Sequence, residues 1–335
     1  MLKTRRDTLR QSFKALAAAA FTATLAMPHV AQAADDFPKK PVKLIVPFAS
    51  GGSTDVVARV LAEGMRKTLG QPIVVDNRAG AGGMIGTEAV SQAAPDGYTI
   101  GMATVSTLTI NPLLYKRAED LGDKLMPVAK LVTVPSVYTV HPNLGVKNFD
   151  EFIAKVKAQP GKVSGAVPGL GTLGHLLLAS FNETLKTEIQ IVPYRGNGPA
   201  LNDALAGLVQ FMPDQLPSVM PHIKAGKLIP VAVASNGRTA DLPNVPTFKE
   251  LGYGELNQLG ISWFGIVAPK GTPPAIVKKL QEAAINAAHL PDVQKRLKTL
   301  GASAIEMDQS KFAAEIAAQT QSNKVLLDKA GVKPE

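Results

Sequence analysis

The stretch P-V-K-L-I-V-P-F-A-S-G-G-S-T-D-V-V-A-R at positions 41–59 contains the pattern that decides the fold. Residues 42–48 are a short apolar, β-branched run, which predicts a strand. Residues 54–69 are predicted to be a helix because apolar side chains recur on one face, at Val57, Leu61, Met65 and Leu69. Gly70 follows at the position of a C-terminal cap. A strand, a glycine-rich turn and a helix therefore come in succession.

The same alternation continues along the chain. Further strands are predicted at residues 73–76, 98–103, 136–140, 189–192, 228–234 and 263–268. Helices are predicted between and after them, notably at residues 148–158, 175–185, 199–208, 275–288, 292–300 and 310–330. This alternation predicts an α/β protein with mostly parallel sheets. The chain has 335 residues, which is enough for about two domains of about 150 residues each.

Composition argues against several classes of protein. The chain has no cysteine, so it has no disulfides, no thiolate catalysis and no cysteine-based metal site. Its five histidines lack the H-x-x-x-H and H-E-x-x-H spacings of zinc enzymes. The net charge is +9, of which residues 1–33 contribute +4, and the remaining basic residues form no run interleaved with aromatic residues. We therefore predict no metal, no cofactor and no nucleic-acid partner.

Residues 1–33 have the features of an export signal. A basic region is followed at 15–27 by an apolar stretch that is too short to span a bilayer. Ala31-Gln32-Ala33 fits the A-x-A cleavage rule, so we expect cleavage near Ala33 and a periplasmic location. Arg5-Arg6 fits the twin-arginine route and the general secretion route equally well. No later stretch approaches about 18 uninterrupted apolar residues, so the mature protein is expected to be soluble.

Four glycine-rich turns, each between a strand and a helix, are the candidate binding elements. They lie at residues 47–55, 77–83, 168–172 and 194–199. The first N–H groups of a helix carry partial positive charge, and glycine lets a ligand approach the main chain closely. Such turns suit an anion such as a carboxylate or a phosphate. Two turns fall in the first third of the chain and two in the middle third, so two lobes would present helix ends to a shared crevice.

Each turn also has a purely structural interpretation. A glycine-rich turn can be no more than a tight connection, and Asp55, Ser53 or Thr54 can cap the first helix. None of the turns matches the phosphate-binding motif G-x-x-x-x-G-K-[ST], and residues 80–86 do not fit G-x-G-x-x-G in register. A nucleotide site is therefore not predicted.

Three further side chains, His175, Trp263 and Asp214, bear on whether the protein is an enzyme. His175 and Trp263 are each interpreted either as packed side chains or as ligand contacts, and Asp214 faces either the crevice or a surface turn. A hydrolase could be assembled from Ser50, His175 and Asp55, and a secreted hydrolase stays the alternative function. The sequence has no G-x-S-x-G elbow and nothing that pairs a nucleophile with a base, so we predict no catalytic residue and no enzyme.

Six further blocks accompany the stretch at 41–59. They are V-D-N-R-A-G-A-G-G-M-I-G at 75–86, A-P-D-G-Y-T at 94–99, V-P-Y-R-G at 192–196, A-G-K-L at 225–228, L-P-N-V-P-T at 242–247 and W-F-G-I-V-A-P-K-G-T-P at 263–273. In these blocks the chain resembles the substrate-binding proteins of the tripartite tricarboxylate transporters, the Bug proteins of the bacterial periplasm. The resemblance covers nearly the whole mature chain, from Phe37 to Val332.

The resemblance implies a two-lobed periplasmic-binding-protein fold, of the type II-like Venus-flytrap kind, with a ligand cleft between the lobes. Residues 34–136 and 255–335 would form one lobe, and residues 137–254 the other. The implied ligand is a small carboxylate. The implied partners are the membrane subunits of a tripartite tricarboxylate transporter or a sensor kinase, and the protein is expected to be a monomer.

The resemblance also implies the ligand-binding residues. In the first lobe they are Phe48, Ala49, Ser50, Gly51, Ser53, Thr54, Asp55 and Ser106. In the second lobe they are Gly169, Gly171, Thr172, Tyr194 and Gly196. The chain departs from the family at two positions, where Val167 replaces a usual serine and Gln210 a usual acidic residue. Both departures predict a less polar second lobe, which would suit a more apolar distal end of the ligand, for instance an aromatic one.

Overall fold

The computed structural model describes residues 37–333, so the predicted export signal at 1–33 lies outside the described residues. The chain divides into two compact units, Met1–Lys39 and Lys40–Glu335, and every element named below belongs to the second. The strands, in chain order, are Val42–Val46 (β1), Ile73–Asn77 (β2), Thr99–Thr104 (β3), Leu125–Val134 (β4), Ser136–Val140 (β5), Ser164–Val167 (β6), Gln190–Pro193 (β7), Phe211–Gln215 (β8), Ile229–Ala234 (β9), Ser262–Pro269 (β10) and Ser303–Met307 (β11).

The α-helices are distributed between and after these strands. They are Ser53–Leu69 (α1), Met84–Ser91 (α2), Asn111–Leu114 (α3), Leu121–Lys124 (α4), Phe149–Ala158 (α5), Leu173–Leu185 (α6), Asn197–Leu205 (α7), Leu216–Lys224 (α8), Gly254–Leu259 (α9), Pro274–His289 (α10), Pro291–Thr299 (α11) and Gln309–Lys329 (α12). A π-helical segment, Ser106–Ile110, leads directly into α3. No helix within residues 37–333 combines the length and the apolar character needed to cross a bilayer.

The strands form two sheets, one in each lobe of a two-lobed α/β fold. The first sheet has the order β11-β4-β10-β3-β1-β2, and the second has the order β7-β6-β8-β5-β9. All strands of the second sheet come from one continuous stretch of chain, whereas the first sheet combines strands from before and after that stretch. The expected α/β, two-lobed fold is confirmed. The residue boundaries predicted for the lobes stay a prediction.

The expectation of mostly parallel sheets is wrong. β1 pairs in parallel with β2 and β3, and β6 pairs in parallel with β7 and β8. In contrast, β10 is antiparallel to both of its neighbours, β11 is antiparallel to β4, and β5 is antiparallel to β8 and β9. β4, β5 and β10 flank the two points at which the chain passes between the sheets. Such connections do not use the helical crossover that makes neighbouring strands parallel.

The two crossings between the sheets lie side by side. Pro135 alone separates β4 from β5, and Ile261 follows Gly260 on the way into β10. The Ser136 N–H donates a hydrogen bond of 3.0 Å to the Gly260 carbonyl, which links the two crossings directly. The two connections between the sheets are therefore adjacent and joined by a backbone hydrogen bond.

Helix α1 forms for the reason that its spacing predicts. Val57, Leu61 and Met65 lie on its buried face, and the helix packs against α10 and β2. Gly70 ends it in the left-handed conformation, with φ +69, and donates its N–H to the Arg66 carbonyl at 3.0 Å. A side chain is strained at this φ, which explains glycine at the cap. Because the buried face packs against α10 and β2, the first turn of α1 is held close to the end of β1.

The core of the second lobe is an aromatic cluster around Tyr138. Its ring centroid lies 4.5 Å from that of Phe248 and 5.6 Å from that of Phe181, and Phe152 stacks on Phe211 at 4.8 Å. Pairs of this kind add about 0.5–1.5 kcal/mol each beyond the burial of their area. The few aromatic residues of the chain are thus concentrated where they hold the second sheet to its helices.

Candidate functional site

The loop between β1 and α1 is braced by a chain of polar contacts. The Gly51 N–H donates to the Asp55 carboxylate at 3.0 Å, and Arg59 forms an ion pair with the same carboxylate at 2.9 Å. Arg59 also donates to the Asn77 side-chain oxygen at 3.1 Å, while the Asn77 amide donates to the Phe48 carbonyl at 3.0 Å. These contacts hold the glycine-rich turn at the first turn of α1.

The electrostatics of Asp55 fit this bracing role. Burial alone would raise its pKa, but the hydrogen bonds from Arg59, Gly51 and Asn77 and the charge of Arg59 together hold the pKa below its ordinary value. The carboxylate is therefore ionised at neutral pH and committed to its own lobe. Direct contact between Asp55 and a ligand stays a prediction.

The turn from the first lobe lies directly against the turn that opens α7 in the second lobe. A methyl group on Gly198 would lie 2.0 Å from the Ser50 carbonyl oxygen, and one on Gly196 would lie 2.9 Å from the Ala49 nitrogen. Gly196 also has φ +143, which side chains rarely adopt. The cleft is therefore closed along this edge by contact between two glycine-containing backbones.

Behind this edge lies a small polar cavity at the starts of α1 and α7. Its volume is about 20 Å³, which is space for about one water molecule. Its walls come from both lobes, among them Phe48, Ser53, Thr54, Thr104, Ser106, Pro168, Asn197 and Gln215. The helix starts give this space a positive potential, and the hydroxyls around it donate or accept hydrogen bonds. An anion is the species that such an environment favours.

Two serines of the first lobe bond across the cleft. Ser106 Oγ accepts a hydrogen bond of 3.0 Å from the backbone N–H of Leu173, the first residue of α6. Ser53 Oγ lies 2.9 Å from the Gln215 carbonyl and 3.0 Å from Ser218 Oγ, and it accepts from the Ser218 N–H at 3.0 Å. These hydroxyls hold the lobes together where the helices begin.

Asp214 lies behind the cross-cleft serines. Its side chain is 2 % exposed, and its carboxylate accepts from the Gln215 N–H at 2.7 Å and from the Asn197 amide, while contacting the Ser218 hydroxyl. Burial raises the pKa of Asp214 to about 7 in spite of these hydrogen bonds. Asp214 is therefore not on a surface turn; it is buried behind the crevice wall and is not among the residues that line the cavity.

A larger pocket adjoins the cavity at Pro168. Its volume is about 450 Å³, within the range of small-molecule sites. It is lined by the turn at 80–84 and by residues of both lobes, among them Tyr115, Arg117, Pro168, Gly169, Leu170, Tyr194 and Arg195. Pro168 belongs to both walls, so the two spaces are neighbours. The outer pocket combines apolar and aromatic surface with two guanidinium groups.

The predicted site residues other than Asp55, which is described above, fall into four groups. Phe48, Ser53, Thr54 and Ser106 line the inner cavity, while Ala49, Ser50, Gly51 and Gly196 lie along the closed edge. Gly169 and Tyr194 line the outer pocket. Thr172 caps α6, since its hydroxyl accepts from the His175 N–H, and Gly171 donates its N–H to His175 Nδ1 at 3.2 Å. Thr172 and Gly171 thus brace the turn at 168–172 from within the second lobe.

Several residues of the cleft are absent from the predicted ligand-binding set, among them Asn197, Gln215 and Ser218, although Asn197 lies within the candidate turn at 194–199. Asn197 and Gln215 line the inner cavity, and Ser218 bonds to Ser53. Asn197 directly follows the V-P-Y-R-G block, which was a usable signal. Its side-chain oxygen is buried and has no hydrogen-bond partner within residues 37–333. Gln215 is the last residue of β8 and Ser218 lies in the helix that follows, and the sequence pattern did not reveal this strand.

The side chains with two interpretations are now placed. Trp263 is a core residue: it is buried, its ring meets that of Phe312 edge-on at 5.0 Å, and its indole N–H donates to Gln319 at 2.5 Å. His175 accepts a backbone N–H, and Asp55 is paired with Arg59. The hypothetical catalytic set of Ser50, His175 and Asp55 therefore has its base and its acid engaged with other partners.

The inference drawn from Gln210 is wrong. Its side chain bonds to the Ser164 N–H at 3.0 Å and to the Gly207 carbonyl at 3.4 Å. It therefore sits where β8 begins, whereas Gln215, which lines the inner cavity, lies where β8 ends. Val167 is fully buried within the hydrophobic core of the second lobe. Neither residue changes the polarity of the cleft wall.

Comparison with known proteins identifies the family. Residues 57–332 match the model of the tripartite tricarboxylate transporter family receptor. The chain belongs to this receptor family. The receptor is 44 % identical to protein BugT of Bordetella pertussis over 250 residues, which cover 73 % of this chain and 75 % of BugT. Members of this family are periplasmic solute-binding proteins rather than enzymes, and the resemblance seen in the sequence is confirmed.

Two solved structures are similar to the receptor over nearly their whole length. R. palustris Rpa4515 with adipate has 31 % sequence identity and a TM-score of 0.85, covering 90 % of this chain and 100 % of that one. MatC (Rpa3494) from Rhodopseudomonas palustris with bound malate has 33 % identity and a TM-score of 0.81, covering 87 % and 100 %. Both similar proteins hold a small dicarboxylate.

Proposed function

We propose that this receptor captures a small organic carboxylate in the cleft between its two lobes. The observation that supports this most strongly is the inner cavity, where the first turns of α1 and α7 meet beside Ser53, Thr54 and Ser106. Free backbone N–H groups at helix starts stabilise a carboxylate without requiring a charged side chain. The adipate and malate carried by two similar proteins support the same ligand class.

The proposed contacts follow the two sides of the cleft. The carboxylate end of the ligand is proposed to bind the turn of the first lobe, through Phe48, Ala49, Ser50, Gly51, Ser53, Thr54, Asp55 and Ser106. The second lobe is proposed to contribute Gly169, Gly171, Thr172, Tyr194 and Gly196. Within this set, Asp55, Gly171 and Thr172 act by holding the turns in place, because their polar groups already bond within their own lobes.

Entry of the ligand is proposed to require opening of the lobes. A cavity of about 20 Å³ is far below the volume of a dicarboxylate, and the turns around it are in backbone contact. We propose that the crossings at Pro135 and Gly260 act as the hinge, with the lobes extending over 34–136 plus 255–335 and over 137–254.

The rest of the ligand is proposed to extend toward the outer pocket. That pocket adjoins the inner cavity at Pro168 and offers Tyr115, Tyr194 and Leu170 as apolar walls. Arg195, which is exposed on its rim, is placed to meet a second carboxylate. A ligand with an apolar middle and two acidic ends fits both spaces.

The biological role is proposed from the family. The mature receptor is proposed to be a periplasmic monomer, exported by the signal at 1–33. It would deliver its ligand to the membrane subunits of a tripartite tricarboxylate transporter or to a sensor kinase.

Calorimetric titration tests the ligand class. The receptor is titrated with adipate, malate, an aromatic monocarboxylate, an amino acid and a neutral sugar. We expect binding of at least one carboxylate and none of the sugar, because the site offers donors and positive potential to an anion. Binding of the sugar together with failure of every carboxylate would overturn the proposal. Ligand carried through purification, identified by mass spectrometry, would name the compound.

A further inference from the structure

Asn197, the first residue of α7, has a buried side-chain oxygen that receives no hydrogen bond from any residue within 37–333. The residue is 8 % exposed and lines the inner cavity. Its amide nitrogen donates to Asp214 Oδ1 and, at 3.3 Å, to Gln215 Oε1, so both of its hydrogens are used. A buried acceptor that stays unpaired is costly, so we expect a donor to reach this oxygen when the site is filled.

The orientation of the Asn197 amide is set by its neighbours. Asp214 Oδ1 also accepts the Gln215 N–H at 2.7 Å, so this carboxylate oxygen acts as an acceptor. Turning the amide over would place the Asn197 oxygen against Asp214 Oδ1, with two acceptors face to face. The nitrogen therefore faces the end of β8. The oxygen is the side-chain atom that is left to accept a hydrogen bond in the cavity.

The neighbouring helix starts offer donors rather than acceptors. Asn197 lies against the start of α1, since a methyl group on Gly52 would be 3.3 Å from Asn197 Cβ and 3.5 Å from the Gly198 nitrogen. The residues that precede α1 and α7 are Gly52 and Gly196, so no side-chain cap takes up the first N–H groups of either helix. A carboxylate accepts hydrogen bonds but has none to give. The carboxylate of a ligand can therefore use the helix starts but cannot satisfy Asn197.

The donor that suits this oxygen is a neutral one. None of the residues that line the inner cavity within 37–333 has a charged side chain. An ammonium group would bring a full positive charge and three hydrogens into a space that two helix starts already make positive. A hydroxyl brings one hydrogen and no charge, and its oxygen can still accept a hydrogen bond from a neighbouring donor. The chemistry of the cavity therefore favours a hydroxyl.

We propose that the receptor selects 2-hydroxycarboxylates, and that Asn197 Oδ1 accepts the hydrogen of the ligand hydroxyl. This proposal rests on the proposed function, because the carboxylate of the same ligand binds at the starts of α1 and α7. The contact between Gly52 and Asn197 puts the two binding groups side by side, so the hydroxyl belongs on the carbon next to the carboxylate. Asn197 is thus the residue that determines specificity for the hydroxyl.

Calorimetric titration of the unmodified receptor with matched ligands tests this selection. The pairs are malate with succinate, 2-hydroxyadipate with adipate, and lactate with propionate, and the members of each pair differ by one hydroxyl. We expect the hydroxy acid of at least one pair to bind about tenfold or more tightly, because its partner leaves the Asn197 oxygen unpaired. Aspartate, which carries an ammonium group in place of the hydroxyl of malate, should bind less tightly than malate. A smaller preference in every pair, or tighter binding of aspartate, would overturn the proposal.

Two variants test whether Asn197 makes this distinction. Asn197→Ala and Asn197→Leu both lack the acceptor, and the second keeps most of the side-chain volume, so each should lose the preference for the hydroxy acid. Asn202→Ala, at an exposed asparagine of the same helix, is the matched control and should keep the preference. A preference that survives in the Asn197 variants would assign the hydroxyl to another group. The matched ligands stay decisive on the unmodified receptor if neither variant folds.

The outcomes separate the hydroxyl from the carboxylate. Carboxylates that bind without a preference for the hydroxy acid would overturn the role of Asn197 and leave carboxylate capture intact. Failure of every carboxylate, hydroxylated or not, would overturn the proposed function together with this selection.

Discussion

At the scale of single residues, the cleft depends on glycine where two backbones meet. Gly198 lies within the first turn of α7, and the missing side chain leaves room for the Ser50 carbonyl of the other lobe. Since alanine is a better helix former than glycine, this position has no local reason to be glycine. The reason lies in the opposite lobe.

Gly198→Ala is predicted to hinder closure of the cleft without lowering the stability of the fold. The new methyl group would stand 2.0 Å from the Ser50 oxygen, so the cleft cannot close fully, and overpacking of this kind costs about 1–3 kcal/mol. Affinity for a bound carboxylate should fall by about tenfold or more by calorimetry, while the melting temperature of the free protein stays unchanged or rises. Gly122→Ala, which meets open space, is the matched control. Equal affinity in the two variants would show that Ser50 and Gly198 are not in contact when the carboxylate is bound, which would contradict the prediction.

Arg195 is predicted to read the second acidic group of the ligand. Arg195→Gln should weaken a dicarboxylate by about 1 kcal/mol, or about fivefold in Kd, because an exposed ion pair is worth little more. The affinity for a monocarboxylate of matched length should not change. Arg66→Gln, an exposed arginine of α1, is the control. A loss that is the same for both ligands would place Arg195 outside the ligand's reach.

The residues of the cleft were only partly predictable from sequence. The turn at 47–55 was predictable, because glycine, serine and threonine between a strand and a helix indicate a helix start that can bind an anion. Ser218 was not, because its partner Ser53 lies 165 positions away and no local pattern links them. Gln210 was predicted to affect the cleft but does not, because its place in a motif does not reveal which end of β8 faces the cleft.

At the scale of elements, α12 is attached by a polar stripe rather than by an apolar face alone. Glu315, Gln319 and Asn323 recur every four residues and bond to Lys130 at 2.5 Å, to Trp263 at 2.5 Å and to Thr109 at 2.8 Å. This spacing aligns three side chains on one side of a helix. The stripe fixes the register of α12 against β4, β10 and the π-helical segment.

Asn323→Ala is predicted to loosen this helix. The change removes a buried hydrogen bond and leaves a small cavity beside Thr109, so the free energy of unfolding should fall by about 1–3 kcal/mol. Denaturant unfolding followed by circular dichroism measures it. Val325→Ala on the exposed side of α12 should change stability by less than about 0.5 kcal/mol. A similar loss in both variants would mean that the stripe contributes nothing specific.

Elements were predictable where their pattern is local. β1, α1 and the alternation around them follow from apolar spacing. β4 and β8 were missed because each contains proline and a buried charged residue, Pro127 with Lys130 and Pro213 with Asp214, which breaks the pattern of a strand. The π-helical segment was missed because its β-branched sequence, S-T-L-T-I, has no helical signal. In each case tertiary contacts decide the structure.

At the scale of the whole molecule, ligand binding and stability are predicted to be linked through closure. A carboxylate at about 100 times its Kd should stabilise the receptor by about 2.7 kcal/mol, because it binds only the folded chain. Differential scanning calorimetry should show the melting temperature rising with ligand concentration. In Gly198→Ala the same concentration should give a smaller rise. An identical rise in melting temperature in both proteins would show that the ligand binds without closure of the cleft.

The position of β10 has a consequence for the order in which the molecule is built. This strand fills the gap between β3 and β4, so the first sheet stays in two separate parts until residues 262–269 have been synthesised. All strands of the second sheet are complete by Ala234. We therefore expect the inserted lobe to fold before the lobe that surrounds it, in reverse of the usual order from the N-terminus. Until residues 262–269 have emerged, β1, β2 and β3 remain a fragment with an open edge, so the first lobe stays incomplete while the inserted lobe already has all of its strands.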